Sequence, residues 1–119
     1  MEQYLDWFNI MAYDFHVAAE PVTNHQAAMY PNPQDPSVYA SKYVVDFCIK
    51  DYLKAGISSD KIVLGAPIYG RGWSGVPNVN NGLFQRASGQ ASGSWEAGVF
   101  DYKDLLNKVN TQPQIYKVY

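Results

Sequence analysis

Two short apolar segments, far apart in the chain, constrain what it can fold into more than any other feature. Residues 6–13 read DWFNIMAY and residues 61–67 read KIVLGAP, and neither run carries the apolar stripe of a helix. Continuous apolar runs of this length are typical of strands buried on both faces, as in parallel sheets. The sequence therefore predicts two inner strands, one over each segment.

The period-two alternation of a strand divides the first segment into two faces. The mixed face carries Asn9, Met11 and Tyr13, and the apolar face carries Phe8, Ile10 and Ala12. Asp14 follows where the strand becomes a loop. Prolines at four positions between residues 15 and 37 exclude a regular element there, and so predict a long ordered loop. Loops of more than about a dozen residues in compact domains are usually functional.

A helix is predicted between the loop and the second strand. Ser37 can cap its start, and Gly56 can end it. Apolar residues recur at helical spacing at Val45, Cys48, Ile49, Tyr52 and Leu53. Strand, helix and strand in this order form a βαβ unit, which joins parallel strands. Because two strands cannot form a covered parallel sheet by themselves, the sequence predicts that the sheet continues in a longer parent protein.

The chain changes character after Tyr69. Turns rich in Gly and Asn alternate with short strand-like pieces, which predicts a second structural unit. Asp101 precedes a short amphipathic stretch and predicts a capped helix. Residues 115–119, IYKVY, alternate like a strand with no following partner, so we expect this end of the chain to be cut as well.

Composition excludes several classes of function. Nine basic residues against eleven acidic ones give no field that would attract nucleic acid, and no run is long and apolar enough to span a membrane. The single cysteine, Cys48, cannot form an internal disulfide and is expected to be a small core residue rather than a reactive thiol. His16 and His25 lack a third ligand, so we expect no metal site and assign neither a catalytic role. Aromatic residues make up 15% of the chain, which suits either stacking on sugar rings or packing inside a larger protein.

Three segments in order resemble a known family. DWFNIMAYD, a loop containing VTNHQA, and KIVLGAPIYGRGW are similar to family 18 glycoside hydrolases, the chitinases and their relatives. Met11 to Asp14 resembles the Met-x-Tyr-Asp signature of the sixth barrel strand, and residues 61–71 resemble the seventh strand. From residue 72 onward the chain resembles the α+β insertion of such chitinases.

The resemblance implies an α/β fold, namely part of a (β/α)₈ TIM barrel in residues 1–71 and part of an α+β insertion domain in residues 72–119. It implies hydrolysis of β-1,4-linked N-acetylglucosamine polymers with retention, in which the acetamido group of the substrate attacks the anomeric carbon. Chitin or chitooligosaccharides would be the partner, no cofactor is implied, and the parent would be secreted. The implied catalytic residues are Tyr13 and Asp14, and the implied substrate-binding residues are Met11, Tyr69, Arg71 and Glu20.

The sequence departs from the family in two places. Nothing in residues 1–119 resembles the Asp-x-x-Asp-x-Asp-x-Glu run that carries the family's general acid, so the acid is absent from this chain. Ala19 stands where many relatives have an aromatic sugar platform. We expect the chain alone to be inactive and prone to self-association.

Alternatives stay open for the whole chain and for single residues. The parent could be a chitinase-like lectin that binds oligosaccharides without cleaving them, or the chain could be an independent small protein or interaction module. Asp14 and Arg71 could form a plain ion pair, and Tyr69 could serve only in packing.

Overall fold

A computed structural model describes residues 2–112, which form two compact units. The first unit combines the residues up to Phe15 with Ala27–Pro67, and the second combines His16–Gln26 with the residues from Ile68 onward. The elements of the first unit are β1 (Phe8–Ile10), α1 (Val45–Lys54) and β2 (Ile62–Leu64). Those of the second are β3 (Tyr69–Arg71), β4 (Trp73–Ser74), β5 (Gly89–Gln90), β6 (Val99–Asp101) and α2 (Tyr102–Thr111).

The predicted βαβ unit is confirmed in the first unit. β1 and β2 pair in parallel, with Phe8 opposite Ile62 and Ile10 opposite Leu64. Both strands are shorter than residues 6–13 and 61–67, because the ladder holds only over three residues on each side. Beyond it, the N–H of Gly65 still donates to the carbonyl of Ile10 at 2.9 Å, which fixes the carboxyl ends of the strands side by side.

The core of the first unit lies on one face of this strand pair. Ile10, Ala12 and Val45 are its buried members, so the apolar face of β1 packs against the first turn of α1. The opposite face is open: Met11 is 73% exposed and Val63 is 50% exposed. Within residues 2–112, α1 covers one face of the pair and no layer covers the other, which agrees with the expectation that two strands alone cannot form a covered parallel sheet.

Cys48 packs against the same core and is free and partly buried. Burial raises the pKa of its thiol above the ordinary value, and the nearby Asp51 carboxylate raises it further. A raised pKa leaves little thiolate at neutral pH, so the thiol is a poor nucleophile. The prediction that Cys48 is a small core residue is confirmed.

The long loop is confirmed over residues 15–37, where the structure has no helix and no strand beyond an isolated bridge at Val22. The prediction that Ser37 caps α1 is wrong, because the helix begins only after Val44. Loop carbonyls take over the capping: the N–H groups of Val45 and Asp46 donate to the carbonyls of residues 28 and 29 at 2.9 and 3.1 Å. These bonds satisfy donors that have no partner within the helix.

The C-terminal end of α1 is the one predicted, with Gly56 closing the helix. Gly56 has φ +91°, its N–H donates to the carbonyl of Leu53 at 3.0 Å, and the N–H of Ile57 donates to that of Tyr52 at 3.2 Å. This pair of bonds is the Schellman arrangement, in which a residue in the left-handed region closes the last turn. Gly56 is therefore required by the backbone conformation.

The second unit is built on short antiparallel pairs. β3 pairs with β6, with Tyr69 opposite Asp101 and Arg71 opposite Val99, and β4 pairs with β5. Hydrogen bonds tie residues 16–26 to the rest of this unit. At Thr23, for example, the backbone N–H donates to the carbonyl of Gln85 and the hydroxyl donates to that of Gly82, at 2.9 and 2.6 Å.

The predicted helix after Asp101 is confirmed as α2, and Asp101 occupies its N-cap position. The Asp101 side chain makes no capping bond, and its carboxylate accepts a hydrogen bond from the indole N–H of Trp95 at 2.9 Å. The strand predicted over residues 115–119 lies outside the described residues.

We expect the isolated 119-residue chain to lack a cooperative unfolding transition as a monomer. Open apolar faces and strand edges favour association between copies. Replacing Val63, on the open face, with Lys should reduce association, whereas Val38→Lys in the loop, where Val38 is 92% exposed, should not. Sedimentation measures association between copies, and calorimetry measures the cooperativity of unfolding. A sharp unfolding transition from a monomer would contradict the prediction.

We also expect Gly56→Ala to destabilise the parent protein by about 1 to 2 kcal/mol, the usual cost of placing a residue with a Cβ in the left-handed region. Space plays no part, because nothing lies within 4 Å of the added Cβ. Gly56→Asn should cost less, since Asn tolerates this region. Gly89→Ala, which is equally open but has no positive φ, is the control. Equal thermal shifts for the three variants would contradict the prediction.

Candidate functional site

Three predicted site residues follow directly from β1. Met11 lies on the open face of the strand, Tyr13 is half-buried two residues further on, and Asp14 comes next. Asp14 has φ 57°, in the left-handed region that residues other than glycine seldom adopt. Such conformations cluster at functional positions, and Asp is one of the few residue types that tolerate them. The backbone therefore adopts an unusual conformation at Asp14, shortly after β1 ends.

The Tyr13 ring lies close to the residue that follows β2. A Cβ added to Gly65 would lie 3.0 Å from Cε1 of Tyr13 and 3.1 Å from the carbonyl oxygen of Ile10. The absence of a side chain at Gly65 thus leaves the space that the aromatic ring uses. Tyr13 and Asp14 each have further interactions within the structure.

Tyr69 and Arg71 are presented together by β3. Their spacing of two residues places them on the same face of the strand, and the Arg71 guanidinium carbon lies 5.3 Å from the centroid of the Tyr69 ring. A cation over an aromatic face at this distance is attracted by the ring electrons. The pair therefore offers a guanidinium whose orientation is restrained.

Glycine occupies every second position of the YGRG segment because side chains pack closely against the other face of β3. A Cβ at Gly70 would collide with Leu105 of α2, and one at Gly72 would collide with the Phe100 ring. Glycine lets these two side chains pack directly on the strand backbone. The alternation in the sequence thus assigns one face of β3 to packing and the other to Tyr69 and Arg71.

Glu20 is held by contacts within the second unit. Its carboxylate lies 2.8 Å from Nδ1 of His16, which is buried, and accepts a bond from the N–H of Val17 at 3.4 Å. The indole N–H of Trp73 donates to the backbone carbonyl of Glu20 at 2.9 Å. This carboxylate therefore has internal partners and a fixed position, and a role toward a substrate would use the oxygen lone pairs that remain.

The six predicted residues divide between the two units. Met11, Tyr13 and Asp14 belong to the first unit, and Glu20, Tyr69 and Arg71 belong to the second. Within the second unit the structure brings Tyr69 and Arg71 into contact. Among these six residues, the polar functional groups of the first unit are one phenol and one carboxylate. Those of the second unit are a guanidinium, a phenol and a carboxylate.

Metal ligands do not cluster in residues 2–112, where no group of three or more His, Cys, Asp or Glu side chains could hold an ion. His16 pairs with Glu20, and His25 meets the Phe84 ring edge-on at 6.4 Å between centroids. Across the same residues, neither helix has the length and hydrophobicity to cross a membrane.

Sequence reasoning missed two residues that shape the candidate site. Gly65 had a visible signal, because a glycine inside an apolar strand pattern often marks a close approach of another group. Trp73 had none, since its bond to Glu20 joins residues 53 positions apart and depends on the folded loop.

These features define the chain as part of an α/β protein with polar residues following the carboxyl end of a parallel strand. A statistical model of the family described as Glycosyl hydrolases family 18 matches residues 1–118, and the chain belongs to this family. The resemblance drawn from the sequence motifs is confirmed.

Individual relatives agree with the family. The chain is 40% identical over 111 residues to chitinase A1 of Niallia circulans, a match that covers 89% of this chain and 16% of that protein. It is similar in structure to the Bacillus thuringiensis chitinase ChiA74, with a TM-score of 0.78 and 42% identity over 87% of this chain and 18% of that one. Human YKL-39, described as a pseudo-chitinase with retained chitooligosaccharide binding, has a TM-score of 0.81 at 24% identity over 92% of this chain and 31% of that one, which shows the fold alone.

The chain thus spans less than a third of the length of each of these relatives. Structures of family 18 chitinases are its structural neighbours, so the predicted fold class, an α/β piece of a TIM barrel, is confirmed. The division into barrel residues 1–71 and insertion residues 72–119 stays a prediction.

Proposed function

We propose that the parent protein is a chitinase that hydrolyses β-1,4-linked N-acetylglucosamine polymers with retention of configuration. The observation that carries this proposal is the family match over residues 1–118, supported by chitinases at about 40% identity over most of the chain. In this proposal the chain contributes part of the site rather than the whole of it.

Tyr13 fits the substrate-assisted reaction of this family. The acetamido oxygen of the substrate attacks the anomeric carbon, so the acetamide becomes a cationic oxazolinium that must keep one orientation. A phenol hydroxyl can hydrogen-bond this group as charge develops and does not compete with it as a nucleophile. Tyr13 holds the oxazolinium in our proposal, and the adjacent Asp14 acts with it as the second catalytic residue.

The other four residues bind substrate in the same proposal. Arg71 and Glu20 form charge-assisted hydrogen bonds with sugar hydroxyls, which are stronger than neutral ones. The cation–π contact with Tyr69 and the bond to His16 support these roles, because each keeps a charged group in one orientation. Met11 contributes to the floor of the site in this scheme, since it lies on the face opposite the core residues Ile10 and Ala12.

The general acid comes from another part of the parent protein in this scheme. It must protonate the leaving oxygen, and the acidic run that carries it in the family has no counterpart in residues 1–119. An enzyme acting on an extracellular polymer must reach it, so we propose that the parent is secreted.

A chitinase-like lectin is the second candidate. Residues 1–119 have no counterpart of the acidic run that carries the general acid of the family, and this absence leaves the lectin candidate open. The two candidates differ in one residue type, the acid, which lies outside this chain in our scheme. Turnover of a chitin oligomer by the purified parent separates them, because a lectin binds the oligomer and leaves it intact.

Tyr13→Phe in the parent should lower kcat about 10²- to 10³-fold, the usual effect of removing one donor to a developing charge, with a much smaller change in KM. The control is Tyr4→Phe, which removes the same hydroxyl from a tyrosine that is 80% exposed. Steady-state kinetics on chitooligosaccharides measures both variants. Losses of similar size in kcat and in substrate affinity would argue against the role.

Ala19→Trp should tighten binding of long oligosaccharides about tenfold and leave short ones unchanged. Ala19 is exposed in the turn that follows Val17, so a large ring can be accommodated there. Stacking a sugar on Trp contributes about 1 to 2 kcal/mol by burial of apolar area, and about 1.4 kcal/mol corresponds to one decade. Calorimetric titration with a short and a long oligomer tests this, and equal changes for both lengths would refute it.

A further inference from the structure

Gly65 lies where two groups of the first unit converge, the carbonyl of Ile10 and the ring of Tyr13. Its N–H donates to the Ile10 carbonyl at 2.9 Å, and a Cβ added to it would lie 3.1 Å from that same oxygen. The added Cβ would also lie 3.0 Å from Cε1 of the Tyr13 ring. Both distances are shorter than ordinary van der Waals contact between a carbon and these atoms. An alanine at this position would therefore force one neighbour to move.

Backbone conformation does not explain the glycine. Gly65 is not among the glycines with positive φ, so an alanine could adopt its backbone angles without strain. Gly56 is the opposite case, since it has a positive φ and open space around it. The requirement at Gly65 is for space next to Tyr13 and Ile10.

The two neighbours differ in how readily they move. Ile10 is buried in the core with Ala12 and Val45, and its carbonyl is tied to the Gly65 N–H. Tyr13 is half-buried, and it lies beyond the last paired residue of β1. The aromatic ring can turn about its side-chain bonds, whereas the carbonyl can move only with the strand. An added methyl group therefore displaces the ring.

We infer that Gly65 is a positioning residue that sets the place of the Tyr13 ring and hence of its hydroxyl. The inference rests on the proposed function, in which that hydroxyl holds the oxazolinium. A misplacement of about 1 Å can cost about a hundredfold in rate, so the smaller shift that relieves a 3.0 Å contact should cost about tenfold. Binding of sugars by other residues would change little.

The test is Gly65→Ala in the full-length parent, with Gly89→Ala as the matched control because nothing lies within 4 Å of a Cβ there. We expect kcat to fall at least about tenfold with little change in KM, and the control to keep the kinetics of the parent. Active-site titration corrects for misfolded protein. An unchanged kcat would overturn the inference.

A double-mutant cycle tests whether Gly65 acts through Tyr13. In a Tyr13→Phe background the hydroxyl is already gone, so Gly65→Ala should cause almost no further loss of kcat. Independent, multiplicative losses would show that Gly65 matters for another reason. If Tyr13→Phe alone leaves kcat unchanged, the proposed function fails instead, and the two failures are thus distinguishable.

Two further measurements do not depend on turnover. A crystal structure of the Gly65→Ala parent should show that the Tyr13 ring is displaced and that the hydrogen bond from the N–H of residue 65 to the Ile10 carbonyl is retained. An unmoved ring together with loss of this hydrogen bond would overturn the inference. If Gly65→Ala does not fold, removing the ring in Gly65→Ala/Tyr13→Ala should restore soluble protein. Failure to do so would identify the Ile10 carbonyl as the constraint and overturn the inference.

Discussion

The parallel pairing of β1 with β2 is the constraint on which the rest of the first unit depends. Parallel strands need a crossover, and α1 provides it while covering one face of the pair. Burial of Ile10, Ala12 and Val45 at that face holds helix and strand together. The same pairing brings the carboxyl end of β2 beside that of β1, which is why a residue after one strand touches a residue after the other. The neighbour of the Tyr13 ring, Gly65, is therefore set by the pairing of the two strands and not by the residues next to Tyr13 in the chain.

The elements with local signals could be predicted from the sequence. Apolar runs marked both strands, helical spacing marked α1, and Gly56 marked its end, because the φ of a C-terminal glycine is a property of the local backbone. The start of α1 could not be predicted in this way. Carbonyls of residues 28 and 29 cap it, and their position depends on how the long loop folds back. Ser37 had the right chemistry for a cap but lies in another turn.

The candidate site shows the same division between local and long-range information. Tyr13, Asp14, Tyr69 and Arg71 were found because they lie within short motifs. The left-handed conformation of Asp14 was not foreseen, since neither the motif nor the composition of the loop specifies φ. The fixed orientation of Glu20 was missed as well, because Trp73 reaches it only in the folded chain. Short motifs in the sequence therefore point to candidate residues, whereas the contacts that orient those residues are visible only in the folded chain.

In both units, period-two alternation places packing residues on one face of a strand and candidate site residues on the other. In and just after β1, Ile10 and Ala12 face the core, while Met11 lies on the other face. In β3, Gly70 meets Leu105 on one face, and Tyr69 and Arg71 share the other. The packing residues differ because the two layers differ. Side chains of α1 pack against side chains of β1, whereas Leu105 and Phe100 lie so close to the backbone at Gly70 and Gly72 that an added Cβ would require them to shift. Both faces of a strand share one backbone. A substitution on the packing face can therefore shift the candidate site residues on the opposite face without contacting them directly.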